Sequence, residues 1–282
     1  MNHLAPALFL GLIGALFIWV AARFHYFRVK TLPLEPKEIK YPLLGILGYL
    51  LLFFIVAPYS IRLLGRHLQN FSEHSPALLM TLLQVISLCW VIAYLFVFSL
   101  LQNRRTLQSI WMHPMRTRLS CAIEDFGLGV LTWLIAFPVV GAVSQVMEFL
   151  TVALSGRALV DQLAVRYLKM AKESPPLFAI ALFAILIAAP VIEEFVFRGI
   201  LFSYFRKKFS MVKSAVFSAI IFSLFHFSPE QGASNVSLLC SLFSLALFLG
   251  FLYERQRSLI APIALHMTFN SISVIRILLI SN

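Results

Sequence analysis

The chain has 282 residues, 60% of them hydrophobic and 12% charged, with a formal net charge of +11. A soluble domain of this length cannot hide so large an apolar share in one core, whereas lipid lets the outer faces of helices be apolar too. The 23 Lys and Arg residues fall between the apolar runs, where they read as topology signals and headgroup contacts. No basic stripe with interleaved aromatics marks a nucleic-acid face, so no nucleic-acid partner is expected.

A hydrocarbon core of about 30 Å takes about 20 apolar residues per helix. Runs of that kind occupy roughly residues 5–22, 42–61, 77–101, 127–154, 176–201, 213–228, 236–253 and 259–280. The expected fold is therefore an all-α, polytopic transmembrane bundle of about eight helices. The first run has no basic stretch before it and is followed by Arg23, Arg28 and Lys30 instead of a small-residue cleavage site, the pattern of a retained helix. The sixth run is short, and Pro229 and Gly232 mark a turn after it. Cys89, Cys121 and Cys240 form no CxxC pair and read as small buried hydrophobes.

Basic residues crowd alternate loops, 23–40, 104–118, 206–213 and 255–257, among them Lys30, Lys37, Arg104, Lys208 and Arg257. Fewer lie in the other loops, which hold Arg62, Arg66, Arg157, Arg166, Lys169 and Lys172. The positive-inside rule then puts both termini outside. With no targeting sequence, a bacterial inner membrane is the expected location.

Four polar groups do not belong in lipid. Glu193, Glu194 and Arg198 fall in the fifth run, where each charge costs roughly 2.5–3.5 kcal/mol at mid-membrane unless paired or wet. The i,i+4 spacing lets Glu194 and Arg198 pair on one helical face, while Glu193 points about 100° away. Pro190 just upstream predicts a kink. A bland alternative is a structural ion pair near the helix end, with Arg198 snorkelling to the interface. His226 closes the Phe222-x-x-x-His226 stretch of the sixth run, and its bland counterpart is an interfacial histidine. His266 and Asn270, again i,i+4, share a face of the last run, either as a helix–helix hydrogen-bonding pair or as working groups. Ser144, Gln145 and Glu148 in the fourth run read as polar packing, with Glu148 near the outer surface.

Taken in order, Glu193-Glu194-x-x-x-Arg198, Phe222-x-x-x-His226 and His266-x-x-x-Asn270 resemble the three motifs of the CAAX-protease and bacteriocin-processing family, also called the abortive-infection or type II CAAX prenyl endopeptidase family. The resemblance covers about residues 175–275, with Gly250 and the stretch 253–262 similar to the approach to the last motif. It implies a core of residues 126–282 that carries the motifs, with residues 1–125 as accessory transmembrane helices. It also implies an intramembrane endopeptidase acting on a membrane-anchored protein or peptide, of prenylated CAAX type in eukaryotes. In bacteria, members process or regulate peptides and membrane proteins, some without proteolysis. Carried over by position, Glu193 would activate water, His226 would help hold it, and His266 and Asn270 would stabilise the oxyanion. Glu194 and Arg198 would fix the geometry of the first motif.

Metal dependence stays open. Two histidines and a glutamate are a possible zinc set, so a divalent metal such as zinc would take Glu193, His226 and His266, although no HExxH is present and another base would then be needed. A non-proteolytic scaffold or immunity-type protein of the same fold is the main alternative. A proton-relay transporter is disfavoured, because no inverted halves with matching broken helices are visible. One conflict stands: Glu193 falls in the cytoplasmic half of its run, but His226 comes late in a run heading outward. A deeper start of the sixth helix, strong tilt or a different loop count would each resolve it.

Overall fold

The computed structural model describes residues 4–29, 38–60, 63, 75–156 and 159–280. Lys30, Lys37, Arg62, Arg66 and Arg157 lie outside the described residues. Ten helices form a bundle, with no β-strand among the described residues. They are α1 (Leu4–Arg23), α2 (Pro42–Ser60), α3 (Pro76–Leu100), α4 (Arg104–Trp111), α5 (Leu119–Ser155), α6 (Leu163–Ala171), α7 (Pro175–Arg206), α8 (Met211–Phe225), α9 (Asn235–Gln256) and α10 (Ile260–Ile280). Local chemistry sets several ends. The Ser75 side chain accepts from the Leu78 N–H ahead of Pro76, and Gly156 and Arg257 close α5 and α9 in the left-handed conformation.

Seven of these helices are long and apolar enough to cross a bilayer: α1, α2, α3, α5, α7, α9 and α10. The chain is an integral, multi-pass membrane protein. The sixth run is short, as expected, but α8 starts two residues earlier, at Met211, and at 15 residues, about 22 Å, is not among the seven. The fifth differs in the other direction, because α7 continues to Arg206. These two lengths remove the conflict in depth. Glu193 lies 13 residues before Arg206 and His226 lies 15 residues beyond Met211, so on antiparallel neighbours they stand about 20 and 22 Å from the shared end.

Side-chain ties group the loops by face. On one face Arg255 donates to the Tyr26 carbonyl, Arg206 pairs with Glu254 at 3.0 Å, and Arg116 reaches the Gln256 carbonyl at 2.7 Å. On the other, Arg166 pairs with Glu230 at 2.8 Å and the Val160 N–H meets Ser234. The basic loops named above that are described, 104–118, 206–213 and 255–257, therefore meet at one end of the bundle.

Small residues let the helices close. Gly14 of α1 faces Val139 of α5, and Gly129 of α5 lies against the backbone at Ala261 of α10. Tyr49 of α2 stacks on Phe225 and meets Phe197 edge-on, which fixes α2 against α7 and α8. The cysteines are not the buried hydrophobes expected: Cys89 is exposed on the outer side of α3, and Cys121 and Cys240 are half-buried. In a membrane protein an apolar run has a lipid-facing side as well as a core side, so an apolar setting in sequence does not imply burial. Ser144 and Gln145 both bond Glu148, at 2.8 and 3.3 Å, a local polar group on α5.

Candidate active site

Helix α7 is irregular where it carries the first motif. It widens into π turns over Ala184–Ala188 and Phe195–Phe202. In the first of these the Ala189 N–H bonds back five residues to the Ala184 carbonyl. The next residue is Pro190, which has no N–H to give, so the carbonyl of Ile185 loses its partner. Asn270 of α10 supplies the replacement, its Nδ2 donating to Ile185 O at 2.9 Å. The irregularity expected at Pro190 is thus a π turn just upstream, closed by a side chain from another helix. In the second π stretch the carbonyls of Phe197 and Arg198 accept from the hydroxyls of Ser218 and Ser203.

Glu194 and Arg198 are fully buried and joined, Nη1 to Oε1, at 2.9 Å. Arg198 does not snorkel: Nη2 donates to the Ala246 carbonyl at 3.2 Å, and the guanidinium lies over the Phe222 ring at 4.5 Å. The same Glu194 oxygen accepts from His266 Nδ1 at 2.9 Å. Arg198 and His266 are thus both tied to one oxygen of Glu194, which faces the Arg198 guanidinium as an ion pair.

Glu193, one residue earlier, faces the histidines instead. Its Oε2 lies 3.8 Å from His226 Nε2 and 4.0 Å from His266 Nε2. His226 bonds the Phe222 carbonyl through Nδ1 at 2.9 Å, and a carbonyl can only accept. The proton is therefore on Nδ1, and the lone pair of a neutral ring is on Nε2, towards Glu193. Both imidazoles thus present Nε2 to one carboxylate oxygen, each held at Nδ1 by a different partner. The separations exceed a direct hydrogen bond but match two groups sharing one bridging oxygen.

Five of the six residues singled out from the sequence converge here. Asn270 is on the same helix face as His266, yet no hydrogen bond among the described residues joins it to Glu193 or to either histidine; its amide serves Ile185. As for zinc, tetrahedral ligands at about 2.0 Å from the ion stand about 3.3 Å apart. Glu193 stands wider than that from both histidines, and among the described residues no group of three His, Cys, Asp or Glu has metal-holding geometry. The residues as placed do not fit the ion.

A cleft of about 350 Å3, including its open mouth, ends at Glu193. Its walls are Tyr49 and Phe53 of α2, Gln84, Ser87, Leu88 and Val91 of α3, and the turn of α7 that carries Glu193. Sequence inspection passes over Gln84. The available signal is a lone amide inside the third apolar run, with Ser87 three residues on along the same face. Asp125 also escapes notice, because it sits in a loop when α5 is begun at residue 127. The helix starts at Leu119, and Asp125 is fully buried against Arg116 at 2.9 Å.

An Escherichia coli protein described as "Uncharacterized 24.3 kDa protein" is 28% identical over 154 residues, covering 51% of this chain and 70% of that protein. No solved structure matches the chain. Residues 175–272, which run from the start of α7 to just past Asn270, match the model of the family described as type II CAAX prenyl endopeptidase Rce1-like. That match spans all three motifs of this chain.

Proposed function

We propose that the protein is an intramembrane endopeptidase that hydrolyses a peptide bond of a membrane-associated protein or peptide with water activated by Glu193. The observation that carries this reading is the convergence of two imidazole Nε2 atoms on Glu193 Oε2, at 3.8 and 4.0 Å, inside a membrane bundle. A structural ion pair needs only Glu194 and Arg198, whereas a second intramembrane carboxylate, facing two imidazole rings and a cleft, is arranged for chemistry.

In this mechanism a water lies between Glu193 and the histidines, accepted by His226 Nε2. Glu193 takes its proton as the oxygen attacks the scissile carbonyl carbon, and the C–O bond forms. The carbonyl electrons move to oxygen. His266, clamped through Nδ1 by Glu194, stabilises that charge through Nε2 in its doubly protonated form. The C–N bond then breaks, and the proton held on Glu193 passes to the leaving nitrogen. Asn270 acts mainly through α7, since its amide bonds the Ile185 carbonyl that Pro190 leaves free, eight residues and about two turns before Glu193.

The test is cleavage of membrane-anchored peptides, prenylated and plain, by the reconstituted chain beside its Glu193→Gln variant. The expected result is cleavage by the wild type and a loss of at least 100-fold in the variant at unchanged melting temperature. Cleavage at the wild-type rate by Glu193→Gln would remove the base assigned here. A folded wild type that cleaves none of the peptides would favour the non-proteolytic scaffold of the same fold.

A further inference from the structure

The matched family region supplies the reacting groups, but most of the cleft in front of them comes from elsewhere. Two of its three walls are α2 and α3, which lie outside residues 175–272. One wall group is not tied to any other among the described residues. The Ser87 hydroxyl is spent on the Leu83 carbonyl at 2.8 Å, one turn back on its own helix. The Gln84 amide, half-buried on the same face, makes no hydrogen bond among the described residues. Inside an apolar helix a primary amide with no partner is costly, and it presents a donor and an acceptor together. That pair is the complement of a peptide bond, whose own N–H and C=O need partners wherever water is scarce. An acyl or prenyl chain in the cleft would leave the amide unmatched. The remaining walls, Tyr49 and Phe53 across from Leu88 and Val91, are apolar and suit a hydrophobic side chain.

Resting on the peptidase reading above, we infer that Gln84 is a substrate-positioning residue. It bonds the backbone of the peptide beside the scissile bond, holds that segment extended along α3, and delivers its carbonyl to Glu193. The substrate class is a membrane-anchored peptide with an apolar residue flanking the cleaved bond, seated between Tyr49 and Leu88. Specificity in this protein then resides in α2 and α3, and the chemistry in α7, α8 and α10.

The experiment uses the full chain in lipid nanodiscs and a membrane-anchored peptide with a benzophenone-bearing apolar residue beside the cleavable bond. Binding is read by photo-crosslinking to the Glu193→Gln variant, so it does not depend on turnover. Crosslinks are expected on the α2 and α3 segments around Tyr49 and Leu88. Adding Gln84→Leu, which keeps side-chain bulk, is expected to lower their yield about tenfold, with partial recovery for Gln84→Asn. A peptide with an ester in place of the contacted amide should lose as much on the Gln84 protein and nothing further on Gln84→Leu. In turnover with the wild-type base, Gln84→Leu should raise KM and spare kcat. Crosslinks elsewhere, or yields and KM indifferent to Gln84→Leu, overturn the inference even while Glu193-dependent cleavage upholds the peptidase reading. Gln84-dependent crosslinks with no cleavage by the wild type would do the reverse.

Discussion

At the scale of single residues, the two histidines look alike in spacing and differ in what holds them. His226 is held by a carbonyl of its own helix and is partly exposed, whereas His266 is buried and hydrogen-bonded to a carboxylate already engaged with Arg198. Removing either ring should cost at least 100-fold in cleavage. Their effects on stability should separate. His226→Ala is expected to cost under about 1 kcal/mol, while His266→Ala strips a charged hydrogen bond from a buried anion and should cost about 1.5–3 kcal/mol. Reversible unfolding in mixed micelles, run beside the cleavage assay, measures both. Equal stability losses would show that the Nδ1 anchors do not differ in the way the distances indicate.

The same pair shows what sequence reveals at this scale. The Glu194–Arg198 pairing and the divergence of Glu193 follow from helical spacing alone, and both are present. The His266–Glu194 bond joins residues 72 apart and has no local signature. Asn270 was legible as a polar residue sharing a face with His266, but its partner is a backbone carbonyl. Backbone carbonyls are present at every position, so side-chain pattern cannot say which one has been orphaned.

Among the elements, α7 is the one whose shape the rest of the site depends on. A proline one turn before Glu193 frees a carbonyl, a π turn relocates it, and α10 reaches across to bond it. Asn270→Leu should therefore cost about 1–2 kcal/mol, the usual range for a polar group left buried and unbonded. Pro190→Ala returns an N–H to the helix. In that background Asn270→Leu should cost less than about half as much, a coupling that a double-mutant cycle reads directly. Additive losses would mean that Asn270 and Pro190 act on separate structures. Sequence warned of an irregularity at Pro190 but could not place it. The choice between a bend, a π turn and an inserted side chain depends on what stands opposite, and α10 lies 80 residues away. The extension of α7 to Arg206 was hidden for a simpler reason: hydropathy fades at the membrane surface although the hydrogen-bond ladder continues.

For the molecule as a whole, an all-helical membrane bundle was readable from composition, since lipid is the only solvent in which this sequence is soluble. How the helices pack was not, because contacts between apolar surfaces in lipid are decided by shape and small residues more than by polarity. Gly129 illustrates the point. A methyl group there would run into the Ala261 carbonyl and Ala264 of α10, while one at Gly127, two residues earlier on the same helix, meets nothing within 4 Å. Gly129→Ala should destabilise by about 1–3 kcal/mol through overpacking of α5 against α10. Gly127→Ala should be neutral or stabilise by up to about 1 kcal/mol through helix propensity. Thermal melts of the two variants in one detergent make the comparison, and a larger loss at Gly127 would contradict the packing described.

The brevity of α8 has a consequence for the bilayer. Its lipid-facing side chains, from Val212 to Phe227, form an apolar belt about 22 Å tall, beside a hydrocarbon layer of about 30 Å. Local thinning is one response to a mismatch of that size, and it would bring headgroups and interfacial water towards the end of α8, next to His226. On the hydrolytic reading proposed above, one water is consumed per bond, and such a dip would shorten its route to Glu193. Turnover would then depend on acyl-chain length: thick membranes that resist thinning would starve the reaction of water, and thin ones would feed it.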